Sequence, residues 1–175
     1  EIAKRLHRIA EKEKVGLDRD AARIIALAAE GSMRDAESIL GQITAVQDKE
    51  ITSSEVENIL GLPRREATKQ LFEFIAKKDI PSSLALIQQL TEGGYDLGYF
   101  AKLLMHYFRN AYFLKTDPAL KRFVENEMLP DEYECITANL AAFETQDLSR
   151  GLDIILQNLQ SFRKTPIPQL PLELT

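Results

Sequence analysis

The chain has 175 residues, of which 45% are hydrophobic and 28% charged, and its formal net charge is −5. This composition is typical of a globular protein with room for one ordinary domain or two small ones. No apolar run approaches the ~18 residues of a membrane span, and the charged first residues exclude a secretory signal, so we expect a cytoplasmic protein with no membrane partner.

The charge is spread evenly. Residues 1–62 hold 9 Lys and Arg against 12 Asp and Glu, and residues 63–175 hold 13 against 15. Tight binding to nucleic acid depends on neutralising phosphates, so a chain without a basic half is a poor candidate for gripping DNA alone. The single cysteine, Cys135, excludes an internal disulfide, and His7 and His106 are too far apart for metal-ligand spacing. We expect no metal and no catalytic residue in this chain.

The first predicted element is a helix. Ile2, Leu6 and Ile9 recur at helical spacing. We expect this helix to run to about Lys14 and to close at Gly16, a residue suited to the left-handed end of a helix. Because the chain begins within this pattern and without methionine, we also expect it to be a fragment that lacks an upstream segment.

Three further short helices are predicted before residue 62. Asp18 is placed to cap the second helix, which would end at Gly31, and Ser32 is placed to cap the third. Thr52 and Glu55 have the spacing of a capping box at the start of the fourth. The apolar faces would be Ala21, Ile24, Ile25 and Ala28 in the second helix, Ala36, Ile39, Leu40 and Ile43 in the third, and Val56, Ile59 and Leu60 in the fourth.

A domain boundary is predicted at Gly61, Leu62 and Pro63, because a helix usually stops before a proline. The remaining segments with helical periodicity cover about 64–78, 81–91, 97–115, 118–127, 131–143 and 148–163. Short connections favour antiparallel neighbours. The sequence therefore predicts an all-α protein with a small bundle at 1–62 and a larger helical domain at 63–175.

The turn Gly31-Ser32-Met33-Arg34-Asp35 is a candidate anion site. The first turn of a helix has unpaired N–H groups and the positive end of the helix dipole, and an arginine there adds donors suited to phosphate oxygens. The alternative is that Arg34 is a solvated surface arginine, since cations are usually disfavoured at helix N-termini.

Four stretches together resemble a known family: AAEGSMRDAESILGQ, VENILGLPRREATKQLFEFIAKKD, QQLTEGGYDLGYFAKLLMHYFRN and TPIPQLPLELT. They are similar to the gamma/tau clamp-loader subunits of bacterial DNA polymerase III. The resemblance covers essentially the whole chain and implies the small AAA+ lid at 1–62 and the helical collar at 63–175, without the nucleotide-binding domain that precedes them in the family.

The resemblance is most specific at G-S-M-R-D-A, which is similar to the sensor 2 motif of the family. It implies that Arg34 reaches the phosphates of ATP, that Met33 lies near the base or ribose, and that Ser32 belongs to the same nucleotide-binding set. ATP and Mg²⁺ would be cofactors of the full-length protein only, because no G-x-x-x-x-G-K-[ST] loop occurs here. We expect the fragment alone to bind no cofactor and to hydrolyse no ATP.

Partners also follow from the resemblance. The collar would bind other clamp-loader subunits, and the full assembly would load the sliding clamp onto primed DNA as part of the polymerase holoenzyme. A delta-prime-like subunit shares this architecture and is the nearest alternative. A helix-turn-helix at Ala21 to Leu40 and a helical scaffold that never meets nucleotide are the others; the first is disfavoured by charge.

Aromatic residues cluster in the second domain. Seven of the thirteen aromatics fall in residues 95–113, and Phe100, Leu104, Tyr107, Ala111 and Leu114 form a helical stripe. We interpret this stripe as packed core or subunit interface, and a stacking surface for single-stranded nucleic acid is the weaker alternative.

Four other features receive structural interpretations. His106 is predicted to be a surface or edge histidine, and Cys135 a small core residue. Asp131, Glu132 and Glu134 would stabilise a helix start. The proline-rich segment at 165–171 would be a connector to another helix that begins near Pro171.

Overall fold

The computed structural model describes residues 2–29, 31–46, 50–159, 162 and 168–174, with the side chains of 126 and 127 left aside. The chain divides into two compact units, 1–62 and 63–175. The predicted helix end at 163 and the first part of the predicted connector, 165–167, lie outside the described residues. Among the described residues, no helix is both long and apolar enough to cross a bilayer.

The described part of the first unit contains four helices and one short strand pair. The helices are α1 (Ile2–Glu13), α2 (Arg19–Ala28), α3 (Met33–Thr44) and α4 (Ser53–Leu60). α2 packs against α1, α3 and α4, and α1 also packs against α3. Their apolar faces supply the core of this unit, whose buried members include Leu6, Ala21, Ile25, Ala36, Leu40, Ile43, Ile51 and Val56.

The strand pair departs from the predicted all-helical pattern. β1 (Gly16–Leu17) runs parallel to β2 (Glu50–Ile51), with Gly16 opposite Glu50 and Leu17 opposite Ile51. The Asp18 amide continues the pairing by donating to the Ile51 carbonyl at 3.0 Å. Strands of two residues leave no period in a sequence, so only their pairing across the unit reveals them. The fold class is nevertheless all-α.

The end of α1 differs from the prediction. Lys14, not Gly16, has the left-handed conformation, with φ of 61°. The Lys14 amide donates to the Glu11 carbonyl and the Val15 amide to the Ala10 carbonyl, which is the Schellman pattern. Gly16 lies instead in β1.

The caps of the other helices in this unit follow the sequence with one exception. The Thr52 and Glu55 capping box is present, with Glu55 accepting from the Thr52 amide at 2.8 Å. Asp18 does occupy the N-cap position of α2, but its carboxylate makes no capping hydrogen bond. On α4, Val56 is buried as predicted whereas Ile59 is 37% exposed, so the apolar face of this short helix is narrower than its sequence indicates.

The second unit is built around one long helix. Its helices are α5 (Arg65–Ala76), α6 (Ile80–Glu92), α7 (Leu97–Thr116), α8 (Lys121–Glu127), α9 (Pro130–Asn139), α10 (Thr145–Leu159) and α11 (Leu170–Glu173). α7 packs along α10 and also contacts α5, α8 and α9. Three-residue 3-10 turns at Pro118–Leu120 and Leu140–Ala142 replace the helical continuations predicted there. The short helix at Pro171 is present as predicted.

Candidate functional site

The candidate anion site is the turn between α2 and α3. Gly31 has φ of 86°, a left-handed conformation that favours glycine, and a β-carbon there would meet no atom within 4 Å. Ser32 follows in an extended conformation, and its Oγ accepts a hydrogen bond from the Asp35 amide at 3.3 Å. The predicted serine cap is therefore present, and it fixes where α3 begins.

Arg34 is the second residue of α3 and its side chain is exposed. It forms no ion pair with any described residue. Met33 and Ser32, which precede it on the turn, are half-buried. The structure thus brings the three predicted residues together on one turn, with the arginine exposed to solvent and the other two partly covered.

The opposite side of α3 is anchored. Ala36, Leu40 and Ile43 are buried in the core of the first unit. On the surface, Nε of Arg5 in α1 lies 3.4 Å from Oε1 of Glu37 in α3. An arginine at the start of such a helix is held by a packed scaffold and not by a mobile loop, which suits a residue that must meet a ligand in a defined position.

The turn offers chemistry for an anion. The first N–H groups of a helix and its dipole favour negative charge, and a guanidinium can donate two parallel hydrogen bonds to phosphate oxygens. Ser32 already accepts from the Asp35 amide, so Arg34 is the principal side-chain donor on the turn.

The arrangement binds but does not react. Arg34 has no base or nucleophile beside it on the turn that could perform a chemical step. Within the described ranges, no group of three or more His, Cys, Asp or Glu residues is arranged to hold a metal. The site therefore has the chemistry of an anion contact and not of a catalytic centre.

The aromatic cluster of the second unit is core, as predicted. Phe100, Leu104, Tyr107 and Ala111 are buried, and Leu114 is half-buried against them. Two phenylalanines from distant parts of the chain, Phe72 and Phe143, complete the cluster with ring centroids 5.2 Å apart. Residues used in this way cannot stack on nucleic-acid bases.

One aromatic contact carries no signal in the sequence. The Arg109 guanidinium lies 4.5 Å from the centre of the Phe113 ring and 5.8 Å from that of Phe123, which is 45% exposed. Phe123 lies ten residues beyond the cluster and in another helix, so no periodicity connects it to Phe113. The contact joins α7 to α8 by cation–π attraction.

Cys135 is a buried core residue, as predicted. Burial, and then the neighbouring Glu73 carboxylate, raise the pKa of the Cys135 thiol to about 12. The thiol lies 3.7 Å from Oε1 of Glu73 as donor. Such a thiol stays protonated and is unsuited to nucleophilic chemistry. His106 is half-buried, which agrees with its prediction as an edge residue.

The acidic start of α9 has a capping role. Oε2 of Glu132 accepts a hydrogen bond from the Leu129 amide at 3.1 Å, while Asp131 and Glu134 are exposed. The prediction that these carboxylates stabilise a helix start is confirmed for Glu132.

Comparison with known proteins adds two family matches. The profile described as "DNA polymerase III clamp loader subunit, ATPase lid domain" matches residues 1–48, and "DNA polymerase III subunits gamma and tau domain III" matches residues 51–175. The two matches meet near the strand β2, whereas the packing of the chain places β2 and α4 in the first unit.

Individual relatives agree with the profiles. The chain is 24% identical over 97% of its length to DNA polymerase III subunit tau of Bacillus subtilis, and 32% identical over 63% of its length to DNA polymerase III subunit gamma/tau of Mycoplasma genitalium. It covers 30% of the first relative and 19% of the second, so it spans less than a third of either.

A solved structure has a similar fold. The Bacillus subtilis DNA clamp loader delta protein superposes with a TM-score of 0.55 at 16% identity, over 99% of this chain and 53% of that one. At this identity the likeness concerns the fold alone.

Proposed function

The chain belongs to the gamma and tau family of DNA polymerase III clamp-loader subunits, and from this premise we propose that it supplies the lid and collar of an ATP-driven clamp loader. In this proposal residues 1–62 are the lid, residues 63–175 are the collar, and the complete protein loads a sliding clamp onto primed DNA together with other clamp-loader subunits. The gamma and tau matches favour this assignment over a delta-prime-like subunit.

We infer that Arg34 is the phosphate sensor of the lid. The observation that carries this inference is the exposed guanidinium in the first turn of α3, on a helix start fixed by the Ser32 cap and without an ion pair to any described residue. A γ-phosphate bound by the ATPase domain of the full-length protein would accept hydrogen bonds from Arg34. Hydrolysis would remove that acceptor and free the lid, as expected when charge-assisted bonds hold two domains together.

Met33 and Ser32 have supporting parts in this proposal. Met33 is half-buried and unbranched, so it can pack against a flat base or a ribose without a fixed hydrogen-bond demand. Ser32 positions the turn through its bond to the Asp35 amide. ATP and Mg²⁺ would be held mainly by the domain that carries the phosphate loop, so this chain alone is expected to hydrolyse no ATP.

The test is Arg34→Ala in the full-length protein, assembled with the other subunits. We expect ATP-dependent clamp loading to weaken by roughly 1 to 3 kcal/mol, the range for a hydrogen bond to a charged group, which is a roughly 5- to 150-fold loss. Arg34→Lys keeps the charge without the planar fork and should lie between the two.

Arg19→Ala is the matched control. Arg19 is also an exposed arginine in the first turn of a helix of the same unit, α2, but lies outside the G-S-M-R-D-A motif. The control should keep full activity. Equal ATPase and loading rates in the Arg34→Ala variant and the unchanged protein would refute the sensor assignment while leaving the family membership intact.

A further inference from the structure

The outer face of α6 is unusual for a solvent-exposed helix. α6 contains no charged residue before Glu92, its last residue. Ile80 is 66% and Leu84 43% exposed, and Pro81 and Ala85 beside them are exposed as well. The inner face is buried in the core of the second unit through Leu86, Ile87 and Leu90. The outer face therefore presents apolar side chains to solvent over two turns.

Charges occur only at the two ends of this face. Lys77 and Lys78 precede the helix and are exposed, and Glu92 at the other end is exposed too. Lys77 lies 3.7 Å from Glu73 on its own chain, while Lys78 has no ion pair with a described residue. Interface centres are depleted of charge and surrounded by polar rims, which is the pattern of this face.

We propose that a second copy of this chain docks on this face, with the two α6 helices antiparallel across a two-fold axis. An axis of this kind makes residue i of one copy meet residue j of the other and the reverse. Antiparallel pairing about Ala85, which lies midway between 78 and 92, sets Lys78 of each copy against Glu92 of the other. The face is then complementary to itself in charge, and the small side chain at the axis allows close approach.

The same charges disfavour other occupants. Parallel pairing would set lysine against lysine at one end and glutamate against glutamate at the other, which is repulsive. An anionic surface such as a membrane would meet Glu92 as well as the lysines. The antiparallel copy is the arrangement that pairs both ends.

The contact is small. One helix face is less than the ~800 Å² that each partner contributes to a standard interface, so the dimer is transient and depends on concentration. This proposal does not rest on the function proposed above, because it concerns only the second unit and its own surface.

Sedimentation velocity of the whole 175-residue chain, from low to high micromolar concentration, tests the dimer. We expect the sedimentation coefficient to rise with concentration. Leu84→Glu places like charges beside the axis in both copies and should raise the dimer dissociation constant at least roughly tenfold. Leu156→Glu alters another exposed leucine, 52% exposed on α10, and should leave self-association unchanged.

A charge exchange tests the antiparallel geometry. Lys78→Glu should weaken the dimer by setting two carboxylates against each other at both ends of the face, and Glu92→Lys should weaken it by setting two ammonium groups there. A mixture of the two variants should associate again, because each contact then joins opposite charges. Circular dichroism of every variant checks that it is folded.

Three results would overturn the proposal: a monomer at all concentrations, self-association unaffected by Leu84→Glu, or a mixture no more associated than its separate components. The second result would place any dimer on another surface.

Discussion

The ring of Phe108 in α7 lies against the backbone of Gly151 in α10, so closely that a β-carbon on Gly151 would fall 2.5 Å from Cε1 of the ring. The ring cannot move aside easily, since it packs edge-on against Phe72 and Phe143 with centroids 5.6 and 5.9 Å away. The longest described helix of the second unit therefore meets α10 at a position where only glycine fits.

Gly151→Ala is expected to destabilise the second unit. Alanine gains about 1 kcal/mol of helix propensity over glycine, but overpacking a filled core costs about 1 to 3 kcal/mol, so the net loss should be about 1 to 2 kcal/mol. Urea unfolding measures it. Gly41→Ala in α3 is the control, because a β-carbon there meets no atom within 4 Å and the change should be stabilising. A stabilised Gly151→Ala protein would contradict the close approach.

Lys14→Gly should stabilise the first unit. Lys14 is exposed and has φ of 61°, a conformation that costs a side-chain-bearing residue about 1 kcal/mol and costs glycine much less. Lys12→Gly makes the same change two residues earlier, inside α1, where it should cost about 1 kcal/mol. Opposite signs in thermal unfolding of these two variants are the expected result, and equal losses would show that the Schellman end of α1 is absent in solution.

The capping box of α4 should make the stability of the first unit depend on pH. Hydrogen bonds from the Thr52 amide and then from its hydroxyl lower the pKa of the Glu55 carboxyl. Because the pKa of the folded state is the lower one, this contribution is present above the unfolded pKa of about 4.3 and is lost as pH falls through the folded pKa.

Two variants separate the parts of this effect. Thr52→Ala should cost about 1 kcal/mol at neutral pH, as for other N-cap replacements. Glu55→Gln should flatten the acid side of the stability profile, measured by denaturant unfolding from about pH 3 to neutrality, a range that brackets the carboxyl pKa. An acid profile that Glu55→Gln leaves unchanged would assign the pH dependence to other carboxylates.

Cys135 should be unreactive until the second unit opens. Its thiol is buried and its pKa is raised to about 12, so the reactive thiolate is scarce at neutral pH. Since it is the chain's single cysteine, labelling by a thiol reagent reports on one site. We expect slow labelling in buffer and fast labelling in urea. Rapid labelling of the folded protein would show that this part of the core is accessible.

Local signals in the sequence predicted much of this fold. The Ser32 cap and the Thr52 and Glu55 box depend on residues three apart, so their spacing is sufficient to place them. The aromatic stripe on α7 predicted the core of the second unit because burial follows helical periodicity. Arg34 was found as a candidate by its place at a helix start, and its motif then pointed to phosphate.

Other features depend on contacts that spacing does not encode. The left-handed position at Lys14 was assigned to Gly16 because glycine is the usual residue there, and local sequence does not say where a helix gives way to a strand. The approach of Phe108 to Gly151 and the Arg109 contact with Phe123 join separate helices. An isolated glycine or phenylalanine carries no sign of such a neighbour.

The parallel pairing of β1 with β2 links the connection after α1 to the connection before α4. The amide of Asp18 can exchange its hydrogen with solvent only when the bond to the Ile51 carbonyl opens. Ile51 is fully buried, so that opening also exposes part of the core formed by α1 to α4. Four short helices that would fray in isolation are thereby joined into one cooperative unit, and exchange at this one amide measures the free energy of opening it.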